Sequence, residues 1–165
     1  MQLTFDTSIR LLSKLVVIAT LLLIFAGALI KSHEVGLSVP DWPTSYGKQM
    51  FSFPLSEMVG GIFYEHGHRV FATIVGFLTL VLAVLIGFSN QPQWVKKTSL
   101  LALILVVCQG LLGGMTVIYF LPPPISILHG ILAQTFFVLT IFISYSQSKI
   151  RTKKQQTYIT TFLEY

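Results

Sequence analysis

The chain has 165 residues, 53% hydrophobic and only 10% charged, with 11 Lys and Arg against 6 Asp and Glu. Water-soluble domains carry roughly 25% charged residues, so an ordinary soluble enzyme is excluded, and the formal net charge of +5 is placed for a membrane, not for nucleic acid. A single cysteine, Cys108, leaves no internal disulfide and no thiolate metal cluster.

Four apolar stretches reach the roughly 20 residues that a membrane-crossing helix needs. They cover about 11–30, 62–88, 99–120 and 125–145, and together predict an all-α, four-helix antiparallel membrane bundle over 1–148. The first is read as a retained helix: no small-residue cleavage site follows it, only Lys31-Ser32-His33-Glu34. Arg10, Lys14, Lys96, Lys97 and the tail residues Lys149, Arg151, Lys153 and Lys154 all fall on one side of this topology. By the positive-inside rule both termini are expected in the cytoplasm, with 149–165 a basic cytoplasmic tail. Short connections at 89–98 and 121–124 make the last three spans neighbours. No internal repeat is evident beyond a histidine near the outer end of spans two and four.

The outer loop, 31–61, is too long to be a simple connection. Trp42, Tyr46, Phe51 and Phe53 give it aromatic surface, and Pro40, Pro43 and Pro54 stiffen it. Its two readings are a segment resting on the membrane interface and a lid over a site at the outer helix ends.

Span two opens with Tyr64-Glu65-His66-Gly67-His68-Arg69. Ionisable groups are costly in hydrocarbon, so they mark a site or a facing partner. Glu65 and His68 share a helix face, which continues through Ala72 and Gly76, small residues that leave a groove beneath His68. His66 points away from it. Span four carries His129 at a similar depth. Two histidines on parallel helices suit the axial positions of one haem iron, whereas zinc would want two further ligands. In span three, Gly110 and Gly114 predict close helix packing; Gln109 is a polar residue in lipid and Cys108 a small filler.

Beyond these readings, Gly36-Leu37-Ser38-Val39-Pro40-Asp41-Trp42-Pro43-Thr44-Ser45-Tyr46-Gly47 resembles the outer-loop signature of the haem A synthase family. Glu65-His66-Gly67-His68-Arg69, Gln109-Gly110-Leu111-Leu112-Gly113-Gly114, Leu121-Pro122-Pro123 and Leu128-His129-Gly130 resemble its second to fourth helices. The resemblance implies a fold of two four-helix bundles, of which this chain matches the N-terminal one. It implies oxidation of the C8 methyl of haem O to a formyl group, in haem A biosynthesis for cytochrome c oxidase assembly. It further implies His68 and His129 as iron ligands, Glu65 as the catalytic carboxylate and Arg69 at a haem propionate. Haem O would be the substrate, with haem b the other haem of the family.

Two departures qualify the match. The cysteine pair that many relatives carry in this loop is replaced near Val39 and Thr44 or Ser45, and a second bundle is absent. The chain is therefore expected to be a fragment or a half-size form, completed by self-association or a second bundle. Haem O synthase and cytochrome oxidase subunits are the other expected partners. The alternatives are a haem carrier or assembly module, and a b-type electron-transfer cytochrome.

Overall fold

The computed structural model describes residues 2–148; the expected basic tail lies outside them. The described backbone forms helices α1 (Gln2–Ser32), α2 (Gly61–Phe88), α3 (Gln93–Ile118) and α4 (Pro123–Ser146), with single 3-10 turns at Met50–Ser52 and Leu55–Glu57. All four helices are long and apolar enough to cross a membrane. Large side chains such as Phe25, Phe77, Ile131 and Val138 are exposed on them. That pattern belongs to a multi-pass membrane protein, whose outer surface is solvated by lipid.

The helices extend past the apolar stretches. Charged residues do not break a helix, so α1 already includes Arg10 and Lys14, and α3 begins at Gln93, before Lys96 and Lys97. Pro123 and Pro124 open α4, where a missing N–H removes no helix bond. The proline run therefore starts this helix as well as separating it from α3. α3 ends without a glycine: Phe120 and Leu121 take φ 56° and 57°, and Leu121 N donates to the Thr116 carbonyl at 2.6 Å. The fit of Leu121 against Gly36, 3.4 Å from where a Cβ would stand, ties this turn to the long loop.

α1 packs on α2 and α4, and α3 on α2 and α4, so the helices form a ring. Its seam is legible as a heptad. Ile9, Ser13, Val16 and Thr20 are buried on α1, and Val75, Thr79, Leu82 and Ile86 on α2. Val95, Ser99 and Ala102 are buried on α3, and Phe136, Thr140 and Ile143 on α4. The alternating four- and three-residue steps are those of left-handed bundle packing. Small hydroxyl residues let the helices approach, and each satisfies its own donor. Ser13 donates to Arg10 O at 2.9 Å, Thr20 to Val16 O at 2.7 Å, Thr79 to Val75 O at 2.8 Å, Ser99 to Lys96 O at 2.9 Å and Thr140 to Phe137 O at 2.7 Å. None of these five hydroxyls is left bare in the apolar interior, where that would be costly.

The seam also exposes a repeat that the linear sequence hides. His68, Ala72, Val75, Thr79 and Leu82 of α2 recur at identical spacing as His129, Ala133, Phe136, Thr140 and Ile143 of α4. Ile9, Ser13, Val16, Thr20 and Gly27 of α1 recur likewise as Val95, Ser99, Ala102, Val106 and Gly113 of α3. The α1–α2 and α3–α4 pairs are thus two copies of one pattern, and each copy carries a histidine near the start of its second helix.

Candidate functional site

The first turns of α2 hold the long loop in place. Glu65 is 4% and His66 2% exposed. Glu65 Oε1 pairs with Arg69 Nη2 at 2.6 Å, and its Oε2 accepts the Val39 N–H at 2.9 Å. Arg69 Nη2 also donates to Val39 O at 2.7 Å, while its Nη1 donates to Asp41 O at 2.6 Å and Thr44 O at 3.2 Å. On another face of the helix, His66 Nδ1 and Ser45 Oγ are hydrogen-bonded at 2.9 Å, and Phe53 covers the His66 ring at 4.7 Å between centroids. His66 points into the loop and away from His68, as its position on the helix requires.

The loop supplies its own frame. Asp41 accepts the Thr44 hydroxyl and the Gly47 N–H at Oδ2 and the Tyr46 N–H at Oδ1. This closes a turn in which Tyr46 and Gly47 adopt φ 52° and 73°. The Tyr46 hydroxyl donates to the Ser38 carbonyl at 2.5 Å. Burial pushes the Asp41 carboxyl up, but the hydrogen bonds from Thr44, Gly47 and Tyr46 outweigh it and hold the group below its ordinary value of 3.8. A depressed folded value means that the stabilisation is complete above the unfolded value and lost as pH falls through the folded one. Trp42 fluorescence is therefore expected to report loosening of this turn only below pH 3.8. Asp41→Asn should abolish that transition, and a midpoint above 3.8 would refute the assignment.

Trp42 lies on Gly114. A Cβ there would stand 2.5 Å from Trp42 Cδ2 and Cε2, so no larger residue fits beneath the indole. This corrects the expectation of GxxxG helix packing. Gly114 receives a loop side chain, and Gly110 has nothing within 4 Å of its Cβ position. Arg69 stands next to His68 and Gly114 next to Gly113, so the loop is fastened beside both halves of the candidate site.

His68 and His129 occupy the loop end of the seam, on α2 and α4, and lie within electrostatic reach of each other. The His68 ring packs on α1 at Gly27, and the His129 ring on α3 at Gly113. The Nδ1 atoms of both are buried and without a hydrogen-bond partner. Gln109 Oε1 and Ser126 Oγ, toward the same end on α3 and α4, are also buried and unpartnered. Buried polar atoms without partners are rare, and among the described residues all four lie in this region. The pattern fits a guest that brings its own polar or ligating atoms. Among the described residues no three His, Cys, Asp or Glu side chains gather as a metal-binding set, so zinc lacks the ligands it would need. Two imidazoles suffice for the axial positions of a haem iron.

Of the remaining sequence-selected residues, Ala72 stands on the seam one turn inside His68. Gly76 has open space where a Cβ would be. His33 stacks on Tyr64 at 4.9 Å and sits against the end of α1, its Nδ1 2.8 Å from Leu29 O. The sequence missed Gly27 and the lid contacts of His66, Trp42 and Gly114. A separate apolar cavity of about 370 Å³, between α2 and α3 near Gly87, Lys96 and Lys97, lies at the opposite end of the bundle from the histidines.

Comparison with known proteins adds to this geometry. The sequence profile of the cytochrome oxidase assembly protein family (COX15-CtaA) matches residues 10–163. The haem A synthase of Shewanella oneidensis is 30% identical over 131 residues, which cover 72% of this chain and 39% of that protein. For the haem A synthase of Ruegeria pomeroyi the figures are 33% over 127 residues, 72% and 33%. For that of Alkalihalophilus pseudofirmus they are 26% over 136 residues, 81% and 44%. The matched stretch is less than half the length of each of these relatives. No solved structure matches the chain.

Proposed function

The chain belongs to the cytochrome oxidase assembly protein family, and from that membership we propose that it is a haem-holding membrane bundle acting in haem A biosynthesis. In this reading His68 and His129 grip the iron of haem O, and the C8 methyl of that substrate is oxidised to a formyl group. The observation that carries the reading is the pair of buried Nδ1 atoms without a hydrogen-bond partner, one on each of two half-buried histidines at matching positions of α2 and α4. The conversion removes electrons from the methyl carbon and adds an oxygen atom, so an electron acceptor and an oxygen source from outside the chain would take part, while the protein holds and orients the haem.

Each residue has a task in this scheme. The histidines fix the macrocycle against the Ala72 and Gly76 groove. The loop closes the site through Arg69 and Trp42. Glu65, one turn before His68, is the carboxylate placed to take a proton from the hydroxylated methyl, and Arg69 orients it. Through its terminal nitrogens Arg69 can reach a propionate only by giving up a present partner, since both are already engaged.

A second reading, a haem carrier or assembly module without chemistry, is favoured by one feature: both Glu65 oxygens are already occupied by Arg69 and Val39. Glu65→Gln separates the two. The full chain in membranes is supplied with haem O, and the haems are extracted for mass spectrometry. For the oxidoreductase, conversion to haem A is expected to fall at least about 100-fold, the scale of a general acid–base contribution, with binding of haem O retained. Haem O that stays bound and unconverted in the unsubstituted chain would establish the carrier instead.

A further inference from the structure

The two histidines are seated in the same way. His68 turns its Cε1 corner toward α1, so that a Cβ on Gly27 would stand 3.2 Å from Cε1, 3.8 Å from Nδ1 and 3.9 Å from Nε2. His129 turns the same corner toward α3, where a Cβ on Gly113 would stand 3.4 Å from Cε1 and 4.0 Å from Nδ1. Gly27 and Gly113 occupy equivalent places in the repeated pattern, each on the helix that precedes its histidine. The other helical glycines do not share this role: Gly67, Gly76, Gly87, Gly110 and Gly130 have nothing within 4 Å, Gly61 meets Ser38 and Val35, and Gly114 meets Trp42. A Cβ would thus crowd the His68 ring from α1 at 3.2 Å and just touch the His129 ring from α3 at 3.4 Å.

We propose that Gly27 and Gly113 are positioning residues, a matched pair of backstops that set where the His68 and His129 rings rest and hence how each meets the haem iron. The proposal rests on the histidine-ligand reading above. Cε1 is bonded to both ring nitrogens, so a push on that corner moves the ligating nitrogen with it. A contact of 3.2 Å forces the ring back by a few tenths of an ångström, whereas 3.4 Å lies at the edge of ordinary contact. Ligand sites tolerate about 0.5 Å before their geometry fails. The effect of a methyl group is therefore graded, larger at Gly27 than at Gly113. The helix itself is not at risk, because alanine is the better helix former.

The test uses the full chain in detergent micelles, loaded with iron protoporphyrin IX, and reads the largest electron paramagnetic resonance g value and the optical low-spin fraction. Gly27→Ala is expected to shift the g value and convert part of the iron to high spin. Gly113→Ala should do so less, and Gly110→Ala, one turn away in open space, should match the unsubstituted chain. Wild-type spectra in both Gly27→Ala and Gly113→Ala overturn the proposal while leaving the ligands intact. If the unsubstituted chain gives no low-spin signal, or His68→Ala keeps it, the ligand reading fails and the backstops with it. Should Gly27→Ala not accumulate, Gly113→Ala against Gly110→Ala decides the matter.

Discussion

Replacing Arg69 by methionine is expected to cost about 3–5 kcal/mol, the penalty for breaking a buried ion pair from one side. The guanidinium side chain is 10% and the Glu65 side chain 5% exposed. Methionine fills similar volume but leaves Glu65 with the Val39 N–H as its remaining partner, and it strips three loop carbonyls of their donor. The loss should be concentrated in the lid. Hydrogen exchange at Val39, Tyr46 and Gly47 is expected to accelerate, while the seam residues of α2 and α4 keep their protection. Adding Glu65→Gln to Arg69→Met should recover part of the loss, because the unpaired charge goes with it. The exposed pair Lys48–Glu57, whose side chains are 43% and 49% accessible, offers the contrast. Its removal should change stability by less than about 1 kcal/mol. Arg69→Met with wild-type lid protection would show that the loop is held by something other than this cluster.

The difference between those two ion pairs also marks what sequence could and could not reveal. The spans were legible because crossing a bilayer imposes length and hydropathy residue by residue. The shared face of Glu65 and His68 was legible because helical spacing is local. The work of Arg69 was not. Its acceptors are backbone carbonyls at Val39, Asp41 and Thr44, which carry no side-chain signal and lie far away in the chain. Gly114 was misread for a related reason: a small residue at a four-residue step looks the same whether a helix or an indole fills the space. The repeat escaped because its copies share the seam spacing but neither residue identity nor strict size and polarity. Phe136 answers Val75, Ile143 answers Leu82 and Val106 answers Thr20. Only burial along the seam brings the two registers into line, and once aligned they place Gly27 with Gly113 and His68 with His129.

That equivalence makes the ligand prediction demanding. Removal of outer-shell partners alone weakens metal binding by about 10–100-fold, so loss of a direct ligand should exceed that range. His68→Ala and His129→Ala are each expected to lower affinity for iron protoporphyrin IX more than about 100-fold and to abolish the low-spin spectrum. The two variants should fail to a similar degree, since the rings occupy matching positions in the repeat and neither Nδ1 has a protein partner to lose. Imidazole added to the buffer should restore low-spin character in both, because truncation to alanine leaves room beside a backstop glycine for the free ligand. His66→Ala is the informative comparison. It removes a buried imidazole from the same turns of α2, but one bonded to Ser45 and covered by Phe53, so it should loosen the lid and leave the spectrum low-spin. If His66→Ala instead erased the signal while His68→Ala or His129→Ala preserved it, the iron would belong on the loop side of α2 and the seam histidines would have only a packing role.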